Sequence, residues 1–154
     1  MIFVKGIRMK GIKVEGISMG FFEVTRQDRE LIRMAVDILR KNFDDGVYYH
    51  TVGSAIRCKD GSIFLGVNCD GIHGSCAEFI SIGAAITAGK RDFDTIVAVH
   101  DKAKNNLVPP CGNCRQMLYE YCPDIKVLLN DVDGNIVKVK ISDLLPLPYI
   151  SVVS

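Results

Sequence analysis

Pro110-Cys111-Gly112-Asn113-Cys114-Arg115-Gln116 is the stretch on which the reading of this chain turns. Cys111 and Cys114 are three residues apart, so on the first turn of a helix their sulfurs share one face. Pro109 and Pro110 fix the chain entering that helix, and proline is compatible with a helix start. Upstream, Cys76-Ala77-Glu78 opens another helical run, with a third thiol and a carboxylate two residues after it. Three protein ligands are what a catalytic zinc usually takes, its fourth position being kept for water. Glu78 is placed to handle the protons of that water. Alone, Cys-x-x-Cys reads equally as a zinc or a redox pair, and a glutamate at a helix start reads as a partner of the helix dipole. Together the two motifs point to hydrolysis by a metal-activated water.

The pattern around the motifs predicts alternating helices and strands. Thr25 followed by Asp28 is a helix N-cap with an acidic residue at the third position. Leu31, Ile32, Ala35, Val36, Ile38 and Leu39 then recur at helical spacing, predicting a helix over 26–42. Residues 52–58 and 63–67 read as strands joined by a turn centred on Asp60-Gly61. A helix is expected over 76–88, stopped by Gly89. An apolar, β-branched run at 93–100 reads as a buried strand, and 101–110 as a loop. The second motif helix covers 111–121. Strands follow at 125–129 and 136–140 around a turn at 131–134, and a short helical turn near 142–145 ends at Pro146. This order predicts an α/β fold, a three-layer α/β/α sandwich around a five-stranded mixed sheet.

Composition narrows the functional classes. At 154 residues a single domain is the default. Its 19 basic and 18 acidic side chains leave a formal charge of +1, which gives no electrostatic footprint for nucleic acid. No apolar run reaches the length a membrane helix needs. Gly6, Gly11 and Gly16, each followed by isoleucine, mark residues 1–22 as an N-terminal arm, flexible or weakly extended, before a single domain over 23–154. The first 20 residues lack the separate charged and apolar regions of a signal peptide. The expected location is therefore a reducing cytoplasm, where six cysteines read as metal ligands and thiols before disulfides.

The two motifs, with Pro110 before and Arg115-Gln116 after, carry the signature of the zinc nucleobase deaminases. Over roughly Thr25 to Tyr149 the chain resembles the cytidine deaminase superfamily, in particular its nucleoside branch of cytidine and blasticidin S deaminases. The resemblance implies one Zn2+ per subunit on Cys76, Cys111 and Cys114, with Glu78 as the catalytic proton carrier. It implies a nucleoside substrate held by Asn68 and Asp70, with His50 at the position of a stacking phenylalanine, Ala77 at the base, and Tyr149 following Leu144-Leu145-Pro146 as a pocket-closing aromatic. A homotetramer is implied as well. Three thiolates around a divalent cation leave a negative site, and many all-cysteine members offset it with an arginine after the glutamate. This chain has Phe79 there, so Arg115 is the nearest cation in sequence able to balance the charge.

The expected activity is deamination of cytidine or deoxycytidine. The alternatives are deamination of blasticidin S or another modified cytosine nucleoside, favoured by Phe79 and the short Asn68–Cys76 loop, and a non-catalytic structural zinc site closed by Cys69 or His73. Editing of nucleic acid is disfavoured by the near-neutral charge.

Overall fold

The computed structural model describes residues 19–151. Most of the expected arm therefore lies outside the described residues. Its last two positions belong to the sheet: β1 (Phe21–Phe22) pairs antiparallel with β7 (Ile136–Lys140), Phe21 opposite Val139.

Helix α1 (Arg26–Asn42) starts as its sequence predicts. Thr25 accepts from the Asp28 backbone N–H, and the Asp28 carboxylate accepts from the Thr25 N–H, closing a reciprocal cap. Strands β2 (Val52–Cys58) and β3 (Ile63–Val67) form the hairpin, with Gly61 at φ 87° in its turn. α2 (Ala77–Thr87) ends in a Schellman arrangement. Gly89, at φ 83°, donates to the Ile86 carbonyl and Lys90 donates to that of Ala85. β4 (Phe93–His100), β5 (Leu107–Val108), α3 (Gly112–Tyr121), β6 (Lys126–Asn130), β7 and the short α4 (Ile141–Leu144) complete the order.

The sheet runs β1-β7-β6-β4-β2-β3, with β5 paired to β4. Its five long strands are those the sequence predicts; β1 and β5 add two-residue edges. The expected loop at 101–110 thus contains a strand, because Leu107 and Val108 pair with Val99 and Ala98. Among the described strands only β4 and β6 pair in parallel, with α3 between them in sequence.

Strand alternation builds the three layers. Ile56, Ile96 and Val127 face α2 and α3, packing with Ile82, Ala85, Met117 and Leu118. Their neighbours Ala55, Val97 and Leu128 face α1, packing with Leu31, Ala35 and Leu39. Two glycines bring the helices close. A Cβ on Gly53 would lie 2.6 Å from the Ala35 carbonyl oxygen, and one on Gly66 would lie 2.5 Å from the Ser81 nitrogen. Beneath α1, Asp28 is fully buried and pairs with Arg57 at 2.8 Å and Lys138 at 2.9 Å, while Arg57 also holds Asp94 at 2.7 Å. No helix among the described residues is long and apolar enough to cross a membrane.

Candidate active site

Cys76 and Cys111 are the N-cap residues of α2 and α3. Helix N-termini carry unpaired N–H groups and the positive end of the helix dipole, which favours thiolate at both places. The two sulfurs are 3.7 Å apart, and all three of Cys76, Cys111 and Cys114 have their sulfurs within 4.8 Å of one another. A tetrahedral zinc with Zn–S bonds of about 2.3 Å requires sulfurs roughly 3.8 Å apart, so the donor set fits the metal in type and spacing. Among the described residues neither Cys69 nor His73 joins this cluster, and a closed four-ligand site is not formed. Cys111 also caps α3 through its sulfur, which accepts from the Cys114 N–H at 3.5 Å.

Burial raises the pKa of the Cys76 thiol above its usual value, and the neighbouring Cys111 and Glu78 add to that, against an opposing hydrogen bond with Cys114. Burial drives Cys114 further up, with the negative charge of Glu78 next in weight. For Cys111 burial also pulls upward, but the N–H groups of Cys114 and Asn113 and the two partner thiols outweigh it and bring its pKa down. Thiols that resist ionising together are deprotonated outright once a divalent cation coordinates them. Glu78 is 5% exposed. Burial raises its carboxyl pKa, while its own backbone N–H and the Cys114 thiol pull the other way.

The cluster opens onto a cavity of about 440 Å³ lined by Val52, Asn68, Cys69, Asp70, Gly71, Gly74, Ser75, Cys76, Ala77, Glu78, Val108, Pro109 and Cys111. Asn68, Asp70, Ala77 and Glu78 are thus brought together with the thiols. Asn68 is also a brace. Its Oδ1 accepts from the Thr51 and Val52 N–H groups, both at 2.9 Å, and its Nδ2 donates to the Tyr49 carbonyl at 2.8 Å. One amide hydrogen remains for a ligand. Asp70 is exposed, and Oδ1 accepts from the Gly71 N–H.

His50 and Tyr149 are not in this lining. His50 donates through Nδ1 to the Asn68 carbonyl at 2.8 Å and stacks on Tyr48, in a neighbouring cavity of about 290 Å³ that shares Cys69, Asp70 and Gly71. Tyr149 is exposed, and its backbone is held by Gln116. Arg115 does not reach for the thiolates. Its Nε donates to the Pro110 carbonyl and its Nη1 to that of Leu144. Phe79 packs into the core beneath α2.

Sequence reasoning did not single out Gly66, whose missing side chain seats α2, and it named Gln116 as part of the motif without its contact to Tyr149. Val108 and Pro109 become cavity wall because β5 holds them beside β4, a pairing too short to show as a periodic pattern.

A model of the cytidine and deoxycytidylate deaminase zinc-binding region matches residues 25–129. The chain belongs to this family. The chain is 39% identical over 140 residues to a blasticidin-S deaminase from Bacillus cereus, spanning 85% of this chain and 98% of that one. It is 41% identical over 99 residues to a cytidine deaminase from Halalkalibacterium halodurans, covering 62% and 74% of the two chains. Among solved structures, cytidine deaminase from Burkholderia pseudomallei superposes with a TM-score of 0.65 at 29% identity, over 79% of this chain and 98% of that one. The chain is therefore a hydrolytic deaminase of the cytidine deaminase fold. Its family is a zinc-binding one, and Cys76, Cys111 and Cys114 are the cluster able to hold the metal.

Proposed function

We propose that the protein hydrolyses the exocyclic amine of a free cytosine nucleoside, cytidine or deoxycytidine, giving the uracil nucleoside and ammonia. One observation carries this reading: a buried carboxylate, Glu78, lines the same cavity of about 440 Å³ as Cys76 and Cys111, two of the three clustered thiols. Cys76, Cys111 and Cys114 would hold zinc, which would supply a Lewis acid bringing the pKa of water toward about 7. Glu78 takes a proton from water, delivers it to the ring nitrogen, and then protonates the departing amine. Its raised pKa suits a group that must hold a proton and pass it on. Oxygen adds to the ring carbon as the ring nitrogen is protonated; Glu78 then carries the proton of the new hydroxyl to the amine, and the carbon–nitrogen bond breaks to leave the carbonyl and ammonia. Ala77 walls the cavity at the base. Asp70 and the free amide hydrogen of Asn68 offer an acceptor and a donor to the sugar hydroxyls or the base.

Replacing Glu78 with Gln tests the role directly. Zinc content is expected to stay at one per subunit while turnover falls by at least about 10²–10⁴-fold. Retained turnover in that variant would remove Glu78 from the mechanism.

A second reading, deamination of blasticidin S or another modified cytosine nucleoside, is favoured by near full-length similarity to a blasticidin-S deaminase and by Phe79 after the glutamate. The ratio of kcat/KM for cytidine and blasticidin S decides between them, and a preference of several decades for either substrate excludes the other. A soluble homotetramer in the cytoplasm completes the proposal; sedimentation of an active monomer would contradict it.

A further inference from the structure

Two consecutive side chains on the metal-bearing helix are committed to the end of the chain. From one guanidinium, Arg115 donates to the carbonyl of Pro110, directly before Cys111, at 2.9 Å, and to the carbonyl of Leu144, the last residue of α4, at 3.0 Å. Gln116 pairs with both backbone groups of Tyr149 as a strand would. Its Oε1 accepts from the Tyr149 N–H at 2.9 Å and its Nε2 donates to the Tyr149 carbonyl at 2.8 Å. The segment between, Leu145 to Pro148, contains two prolines and belongs to no helix or strand. The three hydrogen bonds to Leu144 and Tyr149, with the packing of α3 against α4, hold both ends of the segment.

We propose that Arg115 and Gln116 are positioning residues that couple docking of segment 145–150 to metal binding by Cys111 and Cys114. The inference rests on the zinc reading of the cysteine cluster. Cys111 is the N-cap of α3, with non-helical backbone angles (φ −65°, ψ 169°); its carbonyl accepts from the Arg115 N–H at 2.9 Å and its sulfur from the Cys114 N–H. The chain entering that cap is tied by the Arg115 side chain, which holds the Pro110 carbonyl one residue earlier. The same guanidinium holds Leu144, and the next side chain holds Tyr149. A docked tail therefore favours the Cys111 position that metal requires, and a bound metal favours the docked tail. Coupling of this kind is reciprocal: zinc tightens the tail by the factor by which the docked tail tightens zinc.

The test measures zinc affinity by competition with a chromophoric chelator, and amide hydrogen exchange at Tyr149 with and without zinc, for the full chain and its variants. Gln116→Ala is expected to weaken zinc binding about 5- to 30-fold. Zinc is expected to slow Tyr149 exchange by a similar factor in the parent and not in Gln116→Ala. Arg115→Lys keeps the charge but cannot span two carbonyls with a planar fork, and is expected to lose affinity as Arg115→Met does. Leu31→Ala, on the opposite face of the sheet, controls for general loosening: melting temperature falls and zinc affinity holds. Several results would overturn the coupling. One is zinc affinity within twofold of the parent in both Gln116→Ala and Arg115→Lys. Another is Tyr149 exchange indifferent to zinc. A third is equal weakening by Leu31→Ala. Full affinity in Arg115→Lys with loss in Arg115→Met would assign Arg115 to charge balance instead. A parent chain that takes up no zinc would fail the metal reading itself, and the coupling with it.

Discussion

Gly66 on β3 lies directly under Ala77, the first residue of α2: a Cβ at 66 would sit 2.6 Å from the Ala77 carbonyl oxygen. The same methyl would meet the Ser81 nitrogen at 2.5 Å, and both obstacles are backbone, which cannot swing aside. The N-terminus of α2 carries Cys76 and Glu78, so the height of this helix above the sheet sets where they stand, and with it the proposed metal and proton-transfer geometry. Gly66→Ala is expected to cost about 1–3 kcal/mol by overpacking and to lower kcat/KM about 100-fold, since small displacements of reacting groups are amplified in rate. Gly53→Ala meets Ala35 and Leu39 of α1 on the other face. It is expected to cost similar stability, read as a denaturation midpoint, while leaving kcat/KM within threefold. Equal kinetic damage from both would mean that the site is not positioned through Gly66.

Asn68 is expected to behave as a brace first. Asn68→Ala strands the Thr51 and Val52 N–H groups and should cost about 1–3 kcal/mol. Asn68→Asp keeps the acceptor for both and loses only the bond to Tyr49, so thermal unfolding should show a smaller loss. Both variants should raise KM. Unchanged stability in Asn68→Ala would make its contacts incidental to the fold.

Asp28 and Asp94 make the fold acid-sensitive. For Asp28, burial pushes the pKa up, but the Thr25 N–H, Lys138 and Arg57 outweigh it and bring it below the usual 3.8. For Asp94, burial is likewise opposed and overcome by Arg57 and Thr95. Folded-state values below the unfolded ones mean the unfolded chain binds more protons on acidification. The stabilisation is therefore full above about pH 4–5 and lost as pH falls through the depressed values below about 3.9. Lys138→Met removes one partner of the buried Asp28. Arg57 remains, so a loss of roughly 2–3 kcal/mol is expected, the low side of what breaking a buried pair costs. In chemical denaturation from pH 7 to pH 3, that variant should lose less stability than the parent, because Asp28 is less depressed.

Zinc removal should lower both activity and stability. A metal bound at 1,000 times its dissociation constant contributes about 4 kcal/mol to the folded state. Chelation followed by calorimetry should show a lower Tm, restored together with ammonia release when zinc is returned. A Tm indifferent to chelation would mean that the thiols do not hold a metal in the folded protein.

Local signals were legible where one residue type admits one backbone solution. The Thr25–Asp28 cap, the Asp60-Gly61 turn, the Gly89 stop and the five long strands all follow from short-range chemistry and periodicity, and the structure contains each. The two-residue strands β1 and β5 were not legible, since two residues carry no period. Site placement divided in the same way. Cys-x-x-Cys and Cys-x-Glu name their ligands by spacing within one helical turn. By contrast, His50 and Tyr149 were placed by resemblance and Arg115 by nearness in sequence, and groups outside these motifs decide where their contacts go: the Asn68 carbonyl takes His50, the Gln116 side chain takes the Tyr149 backbone, and the Pro110 and Leu144 carbonyls take Arg115.

The sequence by itself determined the chemistry: three thiols and a carboxylate, each at a helix start, in an α/β chain with no charge suited to nucleic acid. Tertiary structure alone decided the geometry. Cys76 and Cys111 meet at 3.7 Å because strand pairing between β4 and its neighbours sets α2 and α3 side by side on one face of the sheet, and because Gly66 lets α2 settle against it. Those are contacts between residues far apart in the chain. Their energies depend on shape and on which backbone carbonyl is nearest, and no local pattern of residue types encodes either.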